Sequence, residues 1–269
     1  GLGDPKGPMM WCLGRCDLRH SVIAPFWGDG IEAKGTGVHA SHLEQLIVYR
    51  SCAGLQIGGD TVAMDTVLFN TYACYRGQNF FSDLWAASSS VVVWRQTPQF
   101  TLKNIAVAGS GGPGFTFMGF CMHRANFAGN SAHSSMMGVI TKGGFCDHSS
   151  ISDITLWRVR DVGIWGFTLD GGMSNPVISD VTIADTRLGF FWAAVGADPT
   201  EHALVEQTIT VRDSVFVGRS ASNPTCWEDC MWTPGSCGRQ IGISMPIFSS
   251  SGSISPPLVT LRAILHGWR

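Results

Sequence analysis

Three observations predict an all-β chain built as a parallel β-helix, a solenoid of stacked coils. First, three short phrases resemble one another. Ile154-Thr155-Leu156-Trp157-Arg158-Val159-Arg160-Asp161 is followed by Gly163, Val181-Thr182-Ile183-Ala184-Asp185 by Gly189, and Ile209-Thr210-Val211-Arg212-Asp213 by Gly218. In each, apolar residues stand two and four places before an Asp, the period of a strand rather than a helix. Second, the aspartates are 185 − 161 = 24 and 213 − 185 = 28 residues apart, and self-similarity at roughly 20–50 residues marks a repeat architecture. Third, no helical pattern lies between the phrases. No Asn-Gly or Gly-Asn turn flanked by alternating strands supports the hairpins of a competing β-sandwich. Stacked coils repeat at the strand spacing of ~4.8 Å.

Taken in order, residues 1–41 are rich in Gly and Pro and hold Cys12 and Cys16, which reads as an irregular, disulfide-tied lead-in or a partial coil. Cys12-X3-Cys16 has no second pair at ligand spacing, so zinc is disfavoured against a disulfide or free thiols. Residues 42–269 form the β-helix domain. Leu46 to Tyr49, Thr66 to Phe69, Val91 to Trp94 and Leu102 to Val107 are its first strands, and 109–114 is a Gly-rich loop. About eight to ten coils are expected, with Ile154, Leu156, Val181, Ile183, Ile209, Val211, Val215 and Val217 in the core. Residues 223–239, with Cys226, Cys230 and Cys237, read as a disulfide-tied insertion. Cys52 and Cys74, and Cys121 and Cys146, are each about one coil apart, so either pair is a candidate coil-to-coil bridge. Ile241 to Ile247 and Leu258 to Leu265 are the last strands.

The chain has 269 residues and a formal net charge of −2, which argues against a nucleic-acid surface or a polybasic membrane surface. No apolar run approaches the ~20 residues of a membrane span. Only 14 % of residues are charged, against the usual ~25 %, as expected if some outer faces pack on other chains. Nine cysteines suggest an oxidising, extracellular or lumenal compartment. The chain starts at Gly1 and neither end reads as a solenoid cap, so a piece of a longer chain is expected.

Three further phrases resemble one family. They are Gly129-Asn130-Ser131-Ala132-His133-Ser134 with Gly138; Asp213-Ser214-Val215-Phe216-Val217-Gly218-Arg219-Ser220 with Cys226; and Gly238-Arg239-Gln240-Ile241-Gly242-Ile243-Ser244-Met245-Pro246-Ile247-Phe248-Ser249-Ser250. In this order they are similar to signatures of the fibrocystin-like proteins, very large surface chains of the polycystic kidney and hepatic disease type. The cell-surface hyaluronidases share such parallel β-helix repeats. The resemblance implies a right-handed parallel β-helix in a large ectodomain, often on cilia or similar projections, and does not imply catalysis.

Chemistry has two candidate forms. A glycosidase needs two carboxylates ~5–9.5 Å apart, and Asp161, Asp185 and Asp213 on successive coils at one corner would supply neighbours, with Arg187 or Arg212 on a sugar carboxylate. Against this, aspartates repeated at a turn hydrogen-bond the turn backbone and their stacked neighbours, which makes them a structural ladder. His133 lacks an identified acid or nucleophile partner. His39 and His42 lack a third metal ligand. Trp157, Trp165 and Trp192 are candidates for a sugar-stacking strip or for the core. No metal and no cofactor are expected. The expected function is a non-enzymatic structural or adhesive segment that packs against other protein chains, with a carbohydrate-active enzyme or carbohydrate-binding β-helix as the alternative.

Overall fold

A computed structural model describes residues 10–13, 15–24, 30–34, 41–51, 53–58, 60–69, 71, 89–93, 100–118, 125–142, 150–168, 176–195, 208–218, 241–244, 247–248 and 258–266. The cysteines of the expected coil-to-coil bridges and of the 223–239 insertion lie outside the described residues.

Three strands make one early coil. They are β1 (Met10–Leu13), β2 (Asp17–Arg19) and β3 (Val22–Ile23), then β4 (Ile31–Lys34), β5 (Ser41–Glu44) and β6 (Ile47–Tyr49). The pattern continues with β7 (Leu55–Gly58), β8 (Thr61–Met64) and β9 (Val67–Phe69), then β10 (Val91–Val93), β11 (Phe100–Lys103) and β12 (Ala106–Ala108). Next come β13 (Pro113–Met118), β14 (Phe127–Ala128) and β15 (Asn130–His133). Thereafter two strands merge into one long strand per coil: β16 (Met137–Lys142) and β17 (Ser150–Trp157), β18 (Val162–Thr168) and β19 (Val177–Ala184), β20 (Leu188–Val195) and β21 (Thr208–Val217). β22 (Ile241–Ser244), β23 (Ile247–Phe248) and β24 (Leu258–His266) follow.

Every strand pair is parallel, and like strands of successive coils are neighbours in three sheets of ten, five and nine strands. The molecule is therefore a parallel β-helix, as the sequence predicts. Its coils start upstream of the expected His42: β1 pairs with β4 and β2 with β5, so register runs from Met10. The Cys12–Cys16 disulfide closes this first turn, with Cα atoms 5.4 Å apart.

The interior is a set of stacked columns. Val48, Leu68, Val107, Ala132, Leu156, Ile183 and Phe216 pair in succession and all are fully buried. Phe115, Phe117 and Phe127 meet edge-on and stacked in the middle of the core. Such columns suit a parallel sheet covered on its inner side, where each apolar side chain packs on its counterpart one coil away. Some buried polar groups are satisfied across coils as well. The Asn130 side chain accepts from the Ile105 amide at 3.0 Å and donates to the Leu102 carbonyl at 3.0 Å. Thr71 Oγ1 is hydrogen-bonded to Ser90 Oγ at 2.6 Å and to Ser110 Oγ at 3.1 Å.

Of the expected core, Ile154, Leu156, Val181, Ile183, Ile209 and Val211 are buried, whereas Val215 and Val217 are half-exposed and Phe216 is buried between them. Asp213 causes the change. It has φ 50° and opens a bulge within β21, so the inward parity switches from odd residues before it to even residues after it.

Candidate functional site

The corners of the coils carry the polar residues. At the first corner, between the five- and nine-stranded sheets, His20, Gln45, Asp65, Asn104, Gly129, Asp153, Asp180 and Asp213 all have φ between 50° and 67°. The pairings on either side place Asp153, Asp180 and Asp213 at equivalent positions of successive coils. The left-handed conformation turns the chain sharply, and Asp and Asn tolerate it because their short side chains bond locally. Asn104 Nδ2 donates to Asp65 Oδ1 at 2.8 Å, and the Gly129 amide donates to Asp153 Oδ2 at 2.9 Å. Asp213 lies 3.6 Å from the Arg262 guanidinium. At the second corner, after the nine-stranded sheet, Arg50, Gly109, Ser134, Arg158 and Asp185 are again left-handed, with φ 51–69°.

The aspartates singled out in the sequence therefore do not share one corner. Asp213 belongs to the first, Asp185 to the second, and Asp161 precedes β18 at a third. The three phrases do not stack on one another in register: Leu156 pairs with Ile183, and Ile178, not Ile183, pairs with Val211. Two left-handed corners per coil each supply an Asp-ended apolar alternation, so the phrases sample different corners. The stacked carboxylates are Asp153, Asp180 and Asp213.

Among the candidates, the structure brings Asp161 and Arg187 together. Asp161 is 2 % exposed, Arg187 Nε lies 3.8 Å from its Oδ1, and its Oδ2 is buried without a hydrogen-bond partner among the described residues. Burial pushes the Asp161 carboxyl above its ordinary pKa, with Arg187 and then Arg160 pulling it back down. A carboxyl raised in the folded state contributes stability that is complete below its unfolded value of ~3.9 and lost as pH rises through the folded value. Relative to wild type, Asp161→Asn is expected to gain thermal stability as pH is raised from 4 to 7. Wild type gaining on the variant over that range would show that Arg187 outweighs burial. Arg212 is exposed beside Asp213, on the first corner and away from Asp161.

The tryptophans divide. Trp192 is fully buried, stacked on Phe190 with centroids 5.8 Å apart, and belongs to the core. Trp165 is half-buried and meets Phe191 edge-on at 5.8 Å. Trp157 is half-buried on the outer face of the nine-stranded sheet, where its ring stacks on His133 at 4.5 Å and 22°. The His133 ring is within 3.2 Å of Ser134 Oγ, and burial, then the nearby Arg158 charge, lowers its pKa. One rung pattern earlier on that face, Tyr49 and Phe69 pack at 4.5 Å, with Arg50 over the Tyr49 ring at 4.9 Å. The sequence reading missed this row, although Tyr49, Phe69, Ala108, His133 and Trp157 share one register.

Among the described residues no three His, Cys, Asp or Glu side chains come together as metal ligands, and no helix is long and apolar enough to cross a membrane. His39 lies outside the described residues. No family model matches the chain, and no curated protein matches it in sequence.

Proposed function

We propose that this chain is a non-catalytic structural or adhesive segment of a large extracellular or ciliary surface protein of the fibrocystin-like kind, packing against other protein chains. The observation that carries the reading is the outer face of the nine-stranded sheet. The exposed large apolar side chains among the described residues, Val22 at 70 %, Ile47 at 40 % and Val67 at 41 %, lie in one row on adjacent strands of that face. Scattered exposed apolar residues need no explanation, but a contiguous row on a flat sheet is the mark of an interaction surface. The polar corners support the same reading. Asp65 and Asp153 take part in hydrogen bonds between coils and Asp213 faces Arg262, so these carboxylates serve as a turn ladder.

A second reading, a carbohydrate-binding face or a hyaluronidase- or lyase-like enzyme, is favoured by the His133–Trp157 stack, since aromatic faces bury apolar ring surface well. The separating experiment is incubation of the purified chain with hyaluronan and other acidic polysaccharides. No chain shortening is expected for wild type, for Asp185→Asn or for Asp180→Asn. Degradation by wild type that disappears in either variant would replace the structural reading with the enzymatic one.

A further inference from the structure

The nine-stranded face has a charge layout that selects its partner. Its first corner is acidic, with Asp65, Asp153 and Asp213 exposed, Asp180 half-exposed and Asp213 facing Arg262; its second carries the exposed Arg50 and Arg158, with Asp185 buried there. Between the corners, from β3 to β21, the two outward rows contain no Asp, Glu, Lys or Arg. The end formed by β3, β6 and β9 is apolar, with Val22, Ile47 and Val67 in one row and Tyr49 and Phe69 in the other. The face is thus an uncharged strip with an acidic edge on one side and two exposed arginines on the other.

We infer that this face binds a second copy of the same chain, across a two-fold axis parallel to the coil stack. The inference rests on the structural reading above and names its partner. A two-fold in that direction keeps every coil at its own level and exchanges the two edges. Apolar end then meets apolar end, and the acidic edge meets the edge with the exposed arginines, the one carboxylate opposite an aspartate being the buried Asp185, which faces Asp180. Asp153 and Arg158 flank the same strand, so each faces the other's counterpart across the axis, giving two equivalent pairs. Arg50 comes opposite Gln45, one strand spacing of ~4.8 Å from Asp65. A two-fold along the strands instead sets Asp edge on Asp edge and apolar end on polar end, which electrostatics and burial both disfavour. Two sheets facing each other with nearly aligned strands is an ordinary packing arrangement. Eight strands at ~4.8 Å and a face ~15 Å wide bury about 600 Å² per copy, or about 1,200 Å² in all, at the lower limit of stable interfaces. The dimer is accordingly weak, and its strength depends on local concentration.

Sedimentation equilibrium of the purified chain over the micromolar range tests this. Wild type is expected to dimerise reversibly, and less so in high salt. The double variant Ile47→Lys with Val67→Lys is expected to be monomeric with an unchanged circular dichroism spectrum. Arg158→Glu and Asp153→Arg are each expected to weaken the dimer about ten-fold, because each introduces two like-charge contacts. An equimolar mixture of those two single variants is expected to regain wild-type affinity, since each mixed dimer has both pairs restored. That recovery is a readout no folding defect imitates. A wild-type chain that stays monomeric, or a dimer that ignores both charge reversals, overturns the inference. A dimer that Asp153→Arg strengthens overturns this symmetry. A monomer that degrades no polysaccharide sinks the self-association alone, whereas polysaccharide turnover sinks the non-catalytic reading whatever the oligomeric state.

Discussion

Replacing Trp192 by alanine is expected to destabilise the coil stack by about 3–5 kcal/mol, the range for emptying a large aromatic site in a core. The indole is fully buried and stacked on Phe190. It also lies over Gly166 of the preceding coil: a β-carbon built at Gly166 would run into the Trp192 ring. The glycine leaves the volume that the indole fills, so neighbouring coils interlock through one large and one absent side chain. No side chain at Gly166 can swing in to close the resulting cavity, which places the loss towards the upper part of the range. Urea unfolding followed by tryptophan fluorescence and circular dichroism measures it. Trp192→Phe should recover part of the loss. If Trp192→Ala kept full stability but lost binding to a saccharide, Trp192 would be a surface group and this packing would be wrong.

How much of this was legible in the sequence can be judged from the same strands. The period-two alternation of Ile154 and Leu156, and of Val181 and Ile183, identified strands correctly, because a half-buried strand writes its burial directly into alternate residues. The repeat length and the lack of helical pattern led to the parallel stack. The register did not follow, because parity restarts at each left-handed corner. Asp213 hides such a corner inside what reads as one continuous run. A better signal was present: Ile151-Ser152-Asp153-Ile154-Thr155-Leu156 and Ile178-Ser179-Asp180-Val181-Thr182-Ile183 match almost residue for residue. Aligning on an Asp followed, rather than preceded, by the apolar alternation finds the true column.

The start of the coils was missed for a different reason. Strands of two to four residues, such as β2 and β3, are too short to show a period, and their burial comes from coils that are distant in sequence. The candidate surface was illegible for a related reason. Val22, Ile47 and Val67 are unremarkable β-branched residues in the sequence, and only the register of three coils makes them a row. Exposure of an outward residue depends on its neighbours one coil above and below, and a one-dimensional pattern does not contain them.

A close backbone contact between coils is also invisible to hydropathy, and Gly163→Val is expected to destabilise the fold by more than about 3 kcal/mol. Gly30, Gly54, Gly114, Gly138, Gly163 and Gly189 stand at one position of the coil stack, broken only by Ser90 between Gly54 and Gly114, each glycine just before an inward apolar residue of the ten-stranded sheet. A β-carbon at Gly163 would lie 2.5 Å from the Gly189 carbonyl oxygen and 2.9 and 3.0 Å from two carbons of Ile183. One obstacle is backbone and the other a stiff β-branched side chain at the bottom of the core, so neither moves without shifting a coil. Overpacking of a core usually costs about 1–3 kcal/mol, and the fixed carbonyl raises valine beyond that, with alanine expected inside it. Because each coil supports the next, the loss should appear as a lower urea midpoint shared by probes along the stack rather than as local fraying. Ala108→Val is the matching control. Ala108 faces outward on the nine-stranded sheet and is half-exposed, so the change there should stay within about 0.5 kcal/mol. Equal losses at the two positions would mean that the column is not a close contact and that the coils are held apart by something other than their glycines.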